Sequence, residues 1–152
     1  ADEGREAEVI TRLARVGYDN ALGYLKGGFD SWKASNKDID QIHSVSAEEL
    51  AEINKKEKVN TIDARKASEY SSEHVVDAMN APLDFINDSM TKIDKDKKYY
   101  VHCASGYRSM VFISILKARG YNNLIDVAGG FNALKASNLF KVTDYVCPST
   151  LL

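Results

Sequence analysis

The run Lys98-Tyr99-Tyr100-Val101-His102 leads directly into Cys103-Ala104-Ser105-Gly106-Tyr107-Arg108-Ser109, then Val111-Phe112-Ile113-Ser114-Ile115-Leu116. No other stretch limits the folds open to this chain so strongly. The first segment reads as a buried strand and the last as the apolar body of a helix, so a short loop joins strand to helix. That unit belongs in a parallel sheet with helical crossovers. It also sets a cysteine where a strand ends and a helix begins. Loop N–H groups and the positive end of the helix converge there on an anion. Such a setting lowers a thiol pKa and gives a reactive thiolate, so Cys103 reads as a nucleophile.

The alternation extends to both sides. Ser44-Val45-Ser46 leads into a helix, with Ser46 at the N-cap and Glu49 at the capping-box position. Val59–Asp63 reads as a strand, 67–72 as a helical turn, and Ala78–Ala81 as a short strand ended by Pro82. Asp84–Thr91 reads as helical, Arg108–Arg119 as a helix with Gly120 at its C-cap, Leu124–Val127 as the last strand and Gly129–Ser137 as the last helix. The pattern predicts an α/β fold, a parallel sheet with helices on both faces. Ligands in such sheets bind beyond the carboxyl ends of the strands, where Cys103 and Asp63 both fall.

Composition narrows the partners. The chain has 152 residues, 44% of them hydrophobic, enough for about one domain with a real core. A net charge of −2 argues against nucleic acid or an acidic membrane surface. No apolar run approaches the roughly 18 to 20 residues of a membrane span. The two cysteines, Cys103 and Cys147, do not make a disulfide scaffold, and the charged amino terminus has no signal-peptide pattern. The expected compartment is therefore reducing, most simply the cytoplasm. His43, His74 and His102 are scattered and no Cys-x-x-Cys pair occurs, so neither a metal nor another cofactor is expected.

Part of the chain repeats. Leu13-Ala14-Arg15-Val16-Gly17-Tyr18-Asp19-Asn20 matches Leu116-Lys117-Ala118-Arg119-Gly120-Tyr121-Asn122-Asn123. Gly27-Gly28-Phe29 through Asn36 matches Gly129-Gly130-Phe131 through Asn138. Two blocks in the same order point to duplication. Residues 1–36 then read as the last third of one domain, and about 40–152 as a complete second one with a carboxyl-terminal tail. Val9, Leu13 and Val16 share a helix face, with Ile10 beside them. Without strands of its own, this piece must pack on the complete copy or on another molecule, as in a homodimer through residues 1–36; the sequence leaves both open.

Several motifs stand in a fixed order: Ile62-Asp63-Ala64-Arg65, Glu69-Tyr70, His74-Val75, Ala78-Met79-Asn80-Ala81-Pro82, Cys103 to Ser109, and Gly129-Gly130-Phe131. Together they resemble a rhodanese (sulfurtransferase) domain over about residues 40–140, with residues 1–36 resembling the end of a preceding rhodanese-like repeat. The resemblance implies a five-stranded parallel sheet flanked by helices. It also implies transfer of a sulfane sulfur from a donor such as thiosulfate or a persulfide, through a persulfide on Cys103, to cyanide or a thiol. Some relatives place such repeats after a metallo-β-lactamase-like domain, which would then lie upstream here. In this reading Cys103 and Arg108 are catalytic, and Ala104, Ser105, Gly106, Tyr107 and Ser109 form the anion loop. Tyr107 is a candidate for donor selectivity. Asp63 and Arg65 support the scaffold, with Arg65 near Glu69. His102 should point away from the cysteine face.

Two rivals remain. A cysteine phosphatase would place five residues between Cys and Arg, and here there are four. A non-catalytic binding module would have lost the cysteine, which the complete copy keeps. In the first copy Asp2, Glu3 and Gly4 stand where Ser105, Gly106 and Tyr107 stand later, and Glu6 replaces Ser109. Acidic side chains oppose an anion, so that copy is expected to be an inactive scaffold.

Overall fold

The chain divides into two units, Ala1–Gln41 and Ile42–Leu152. They are seen in a computed structural model that describes residues 2–15 and 17–147. In the first unit α1 (Glu6–Ala14) has Glu6 and Glu8 in its first turn and Arg12 in its last, charges that complement the helix dipole. After Gly17 the Tyr18 amide returns to the Leu13 carbonyl at 3.0 Å. Gly27, in the left-handed region, precedes α2 (Gly28–Ala34), and the Trp32 indole donates to the Asp38 carbonyl at 3.0 Å. Val16, expected on the apolar face of α1, lies outside the described residues, as do Ala1 and Pro148.

The second unit runs β1 (Ser44–Val45), α3 (Ala47–Lys56), β2 (Asn60–Asp63), α4 (Ala67–Ser72) and β3 (Met79–Asn80). It continues through a 3₁₀ turn (Leu83–Phe85), α5 (Ile86–Met90), β4 (Tyr99–His102), α6 (Tyr107–Ala118), β5 (Leu124–Val127) and α7 (Gly130–Ser137). The five strands lie in the order β1-β5-β4-β2-β3 and every pairing is parallel. This is the expected sheet. The Ser46 cap forms as read: its hydroxyl accepts from the Glu49 amide at 3.1 Å, while the Glu49 carboxylate accepts from the Ser46 amide at 2.8 Å. Two details differ. Ser44–Val45, read as a lead-in, is itself the edge strand, since its partner β5 supplies the pairing that two residues cannot signal alone. The helix expected at Asp84–Thr91 splits into the 3₁₀ turn and α5.

Strand alternation sorts the core into two faces. Tyr99, Val101 and Cys103 face the layer built by Phe112, Ile113 and Leu116 of α6, with Ile86 and Met90 of α5 packed against it. Tyr100 faces the layer built by Leu50 of α3 and Phe131 and Leu134 of α7. His102, pointing to that second side, stacks toward Phe131 with ring centroids 6.4 Å apart. It is fully buried, and neither ring nitrogen has a hydrogen-bond partner among the described residues. The expected direction of His102, away from the cysteine, is what the strand produces.

The two matching blocks have matching backbones. Gly17 and Gly120 take φ of +91° and +84°, Gly28 and Gly130 +56° and +59°, Asn36 and Asn138 +52° and +56°. The Tyr121 amide bonds the Leu116 carbonyl at 3.0 Å, as Tyr18 bonds Leu13. Burial differs. Leu116, Phe131 and Leu134 are buried, whereas the matching Leu13, Phe29 and Trp32 are exposed.

Candidate active site

β4 ends at His102, and the next residue, Cys103, lies at the carboxyl edge of the sheet. The chain must then turn steeply to start α6. Gly106 makes that turn at φ +108°, a conformation costly for any residue with a Cβ. The turn brings the Gly106 amide to 3.2 Å from the Cys103 sulfur. The Ser109 hydroxyl lies 3.7 Å from the same sulfur. Burial alone would raise the thiol pKa; the amides of Ser109, Gly106 and Ser105 and the Ser109 hydroxyl outweigh it and bring the pKa below its ordinary value. Cys103 is only 1% exposed, so it forms the floor of the loop. Tyr107, the first residue of α6, is 79% exposed.

A second element holds the loop from behind. The Phe131 amide donates to the Cys103 carbonyl at 2.6 Å, and the Asn132 amide donates to the Ala104 carbonyl at 3.1 Å. The start of α7 thus satisfies the two carbonyls that the turn leaves open. Gly130 permits the approach, because a Cβ there would lie 2.4 Å from the Cys103 carbonyl oxygen.

Arg108, read as catalytic, is held by an acidic partner at the side of the loop, and its charge also interacts with Cys103. Its guanidinium makes a two-pronged ion pair with Glu69 of α4, at 2.5 and 2.9 Å. The hydrogen bond from Arg108 holds the Glu69 carboxyl below the usual glutamate range, although partial burial opposes this. Arg65 lies near Glu69, as expected, and its charge helps lower the Glu69 pKa, but the carboxylate it hydrogen-bonds is that of Asp63. Its Nε lies 3.0 Å from both carboxylate oxygens, and its Nη2 reaches Asp63 at 2.6 Å and the Glu73 carbonyl at 2.8 Å. The reason is local. Asp63 and Arg65 flank a single residue at the end of β2, and both are buried, so pairing them avoids two uncompensated charges. The Arg65 guanidinium also covers the Phe131 ring at 4.0 Å. Burial depresses the His102 pKa; Asp63 opposes this and Arg65 adds to it, so the ring stays neutral.

Sequence reasoning missed Asp126. It sits in β5, almost fully buried, and its carboxylate accepts from the Ser109 and Ser44 hydroxyls. The signal was present: an acid between Ile125 and Val127 in a buried strand needs partners. No group of three or more metal-ligating side chains occurs among the described residues, and none of their helices is long and apolar enough to cross a membrane.

Comparison with known proteins agrees with this architecture. A family model described as "Rhodanese-like domain" matches residues 46–137. The thiosulfate sulfurtransferase GlpE of Coxiella burnetii is 28% identical over 92 residues, covering 60% of this chain and 86% of that protein. A putative sulfur carrier protein of Bacillus subtilis is 26% identical over 106 residues, 69% of this chain. The chain spans only 55% of the length of that Bacillus protein. The crystal structure of a rhodanese-related protein from Thermoplasma volcanium superposes with a TM-score of 0.59 at 29% identity, covering 66% of this chain and 97% of that one. Parallel sheet, glycine-turned cysteine loop and family match all point the same way, and the chain belongs to the rhodanese-like domain family.

Proposed function

We propose that the protein is a sulfurtransferase that carries a sulfane sulfur on Cys103. The observation behind this reading is the Cys103 sulfur at the sheet edge with the Gly106 amide 3.2 Å away, in a loop that lowers the thiol pKa. With thiosulfate as donor, the thiolate attacks the outer sulfur. A new S–S bond forms, the old one breaks, and its electron pair leaves with sulfite. The persulfide then carries its negative charge on the outer sulfur, within reach of the N–H groups of the loop. A thiophile such as cyanide or a thiolate attacks that sulfur and returns the Cys103 thiolate. The named activity of the GlpE relative supports thiosulfate as a donor class.

Roles follow from placement. Ser105, Gly106 and Ser109 supply the amides, Gly106 the turn, and Ala104 the anchor to α7. Arg108 fixes the side of the loop through Glu69, and the Asp63–Arg65 pair braces the end of β2. The phosphatase alternative is disfavoured because Arg108 is engaged by Glu69 and the loop is one residue short. Intact mass after thiosulfate treatment tests the proposal. A gain of one sulfur atom is expected, lost on adding cyanide and absent in Cys103→Ser. No gain in the folded protein with either thiosulfate or an organic persulfide would refute it.

The matching backbone angles in residues 17–36 and 120–138 support a companion reading. The first unit is the carboxyl-terminal part of a preceding rhodanese-like repeat, and its role is structural.

A further inference from the structure

Asp126 is 3% exposed in a strand whose other members are Leu124, Ile125 and Val127. Its Oδ2 accepts from the Ser44 hydroxyl at 2.5 Å and its Oδ1 from the Ser109 hydroxyl at 2.7 Å. The Ser109 oxygen also lies 3.0 Å from the Gly106 carbonyl and 3.7 Å from the Cys103 sulfur. A hydroxyl has one proton to donate. Carboxylate, carbonyl and sulfur therefore compete for it. When the sulfur is uncharged, the charge-assisted bond to the carboxylate is strongest. When the sulfur is a thiolate, two anions contend for the same proton.

Resting on the sulfurtransferase reading and deepening it, we propose that the Ser109 hydroxyl changes partner with the charge on the Cys103 sulfur. It donates to the thiolate in the sulfur-free protein and to Asp126 when that sulfur is neutral, as thiol or as the inner atom of a persulfide. Asp126 is then a positioning residue that acts on Cys103 through Ser109. The exchange gives the buried hydroxyl an acceptor in both states, which avoids an unsatisfied donor. It also restrains the thiolate from excessive stabilisation, and a thiolate of very low pKa is a poorer nucleophile.

The other charged groups near the sulfur are the Arg108–Glu69 pair from α6 and α4 and the Asp63–Arg65 pair at the end of β2. His102 leaves β4 on the opposite face and is neutral. None of these is altered in the following variants.

The test is the pH dependence of Cys103 alkylation by iodoacetamide in the full chain, with Cys147→Ser throughout so that one thiol is read. Asp126→Asn frees the hydroxyl, and the midpoint is expected to fall by roughly half a unit or more. Ser109→Ala is expected to raise it by a similar amount. In the Ser109→Ala background, Asp126→Asn is expected to produce less than half of its former fall. An equal fall in both backgrounds means that Asp126 acts by charge alone, and overturns the proposal, as does no fall in the single variant. Should Asp126→Asn fail to fold, Ser44→Ala on the exposed edge strand replaces it. The carboxylate then depends more on Ser109 and the midpoint is expected to rise; a fall or no change overturns the proposal. Absence of the persulfide mass gain, with the alkylation pattern intact, would count against the sulfurtransferase reading and leave the coupling standing.

Discussion

At the scale of single residues, the site depends on how closely two backbones approach. Gly130 lies against the Cys103 and Ala104 carbonyls at φ +59°. Gly130→Ala should cost about 1–2 kcal/mol from the left-handed backbone alone. It should also push α7 off the loop. The expected result is a lower melting temperature together with a Cys103 alkylation midpoint moved up toward that of a free thiol. A variant that loses stability but keeps the midpoint would show that α7 does not hold the loop amides in place. The cysteine, the glycine turn and Gly129-Gly130-Phe131 were legible in the sequence because each is tied to a local backbone demand. The partner of Arg108 was not legible. Glu69 lies 39 positions away, and only the packing of α4 beside α6 decides between Arg65 and Arg108.

At the scale of elements, β4 leads Cys103 onto one face of the sheet and places a neutral histidine on the other. Burial lowers the His102 pKa in the folded state. The unfolded chain therefore binds a proton near pH 6.5 that the folded chain does not bind until lower pH. The stability tied to this group is present above about pH 6.5 and is lost as pH falls through the folded pKa. Stability measured by denaturant unfolding should therefore fall as pH drops below about 6.5. His102→Leu should flatten that part of the profile; an unchanged slope would assign it to other groups. Strand periodicity made the direction of His102 legible. Its lack of hydrogen-bond partners among the described residues was not, because that depends on Phe131 and Arg65 arriving from other elements.

At the scale of the whole molecule, the second unit contains the complete sheet and both apolar layers. A chain beginning at Ile42 should unfold cooperatively and retain sulfur loading on Cys103. Loss of folding in that truncation would make residues 1–41 an integral part of the second unit. Strand and helix alternation was enough to read four of the five strands and the layering. The edge strand escaped because two residues have no period. The repeat was legible as matching blocks. Leu13, Phe29 and Trp32 are exposed in a unit with no strand among its described residues to cover them.

The near-complete cover over Cys103 has a further consequence. A thiol 1% exposed presents almost no surface to solvent, so the size of a reagent limits its access before any chemistry begins. Small reagents should reach it more readily than bulky disulfides or large oxidants. Size exclusion would then spare the Cys103 thiol from mixed-disulfide capping and over-oxidation.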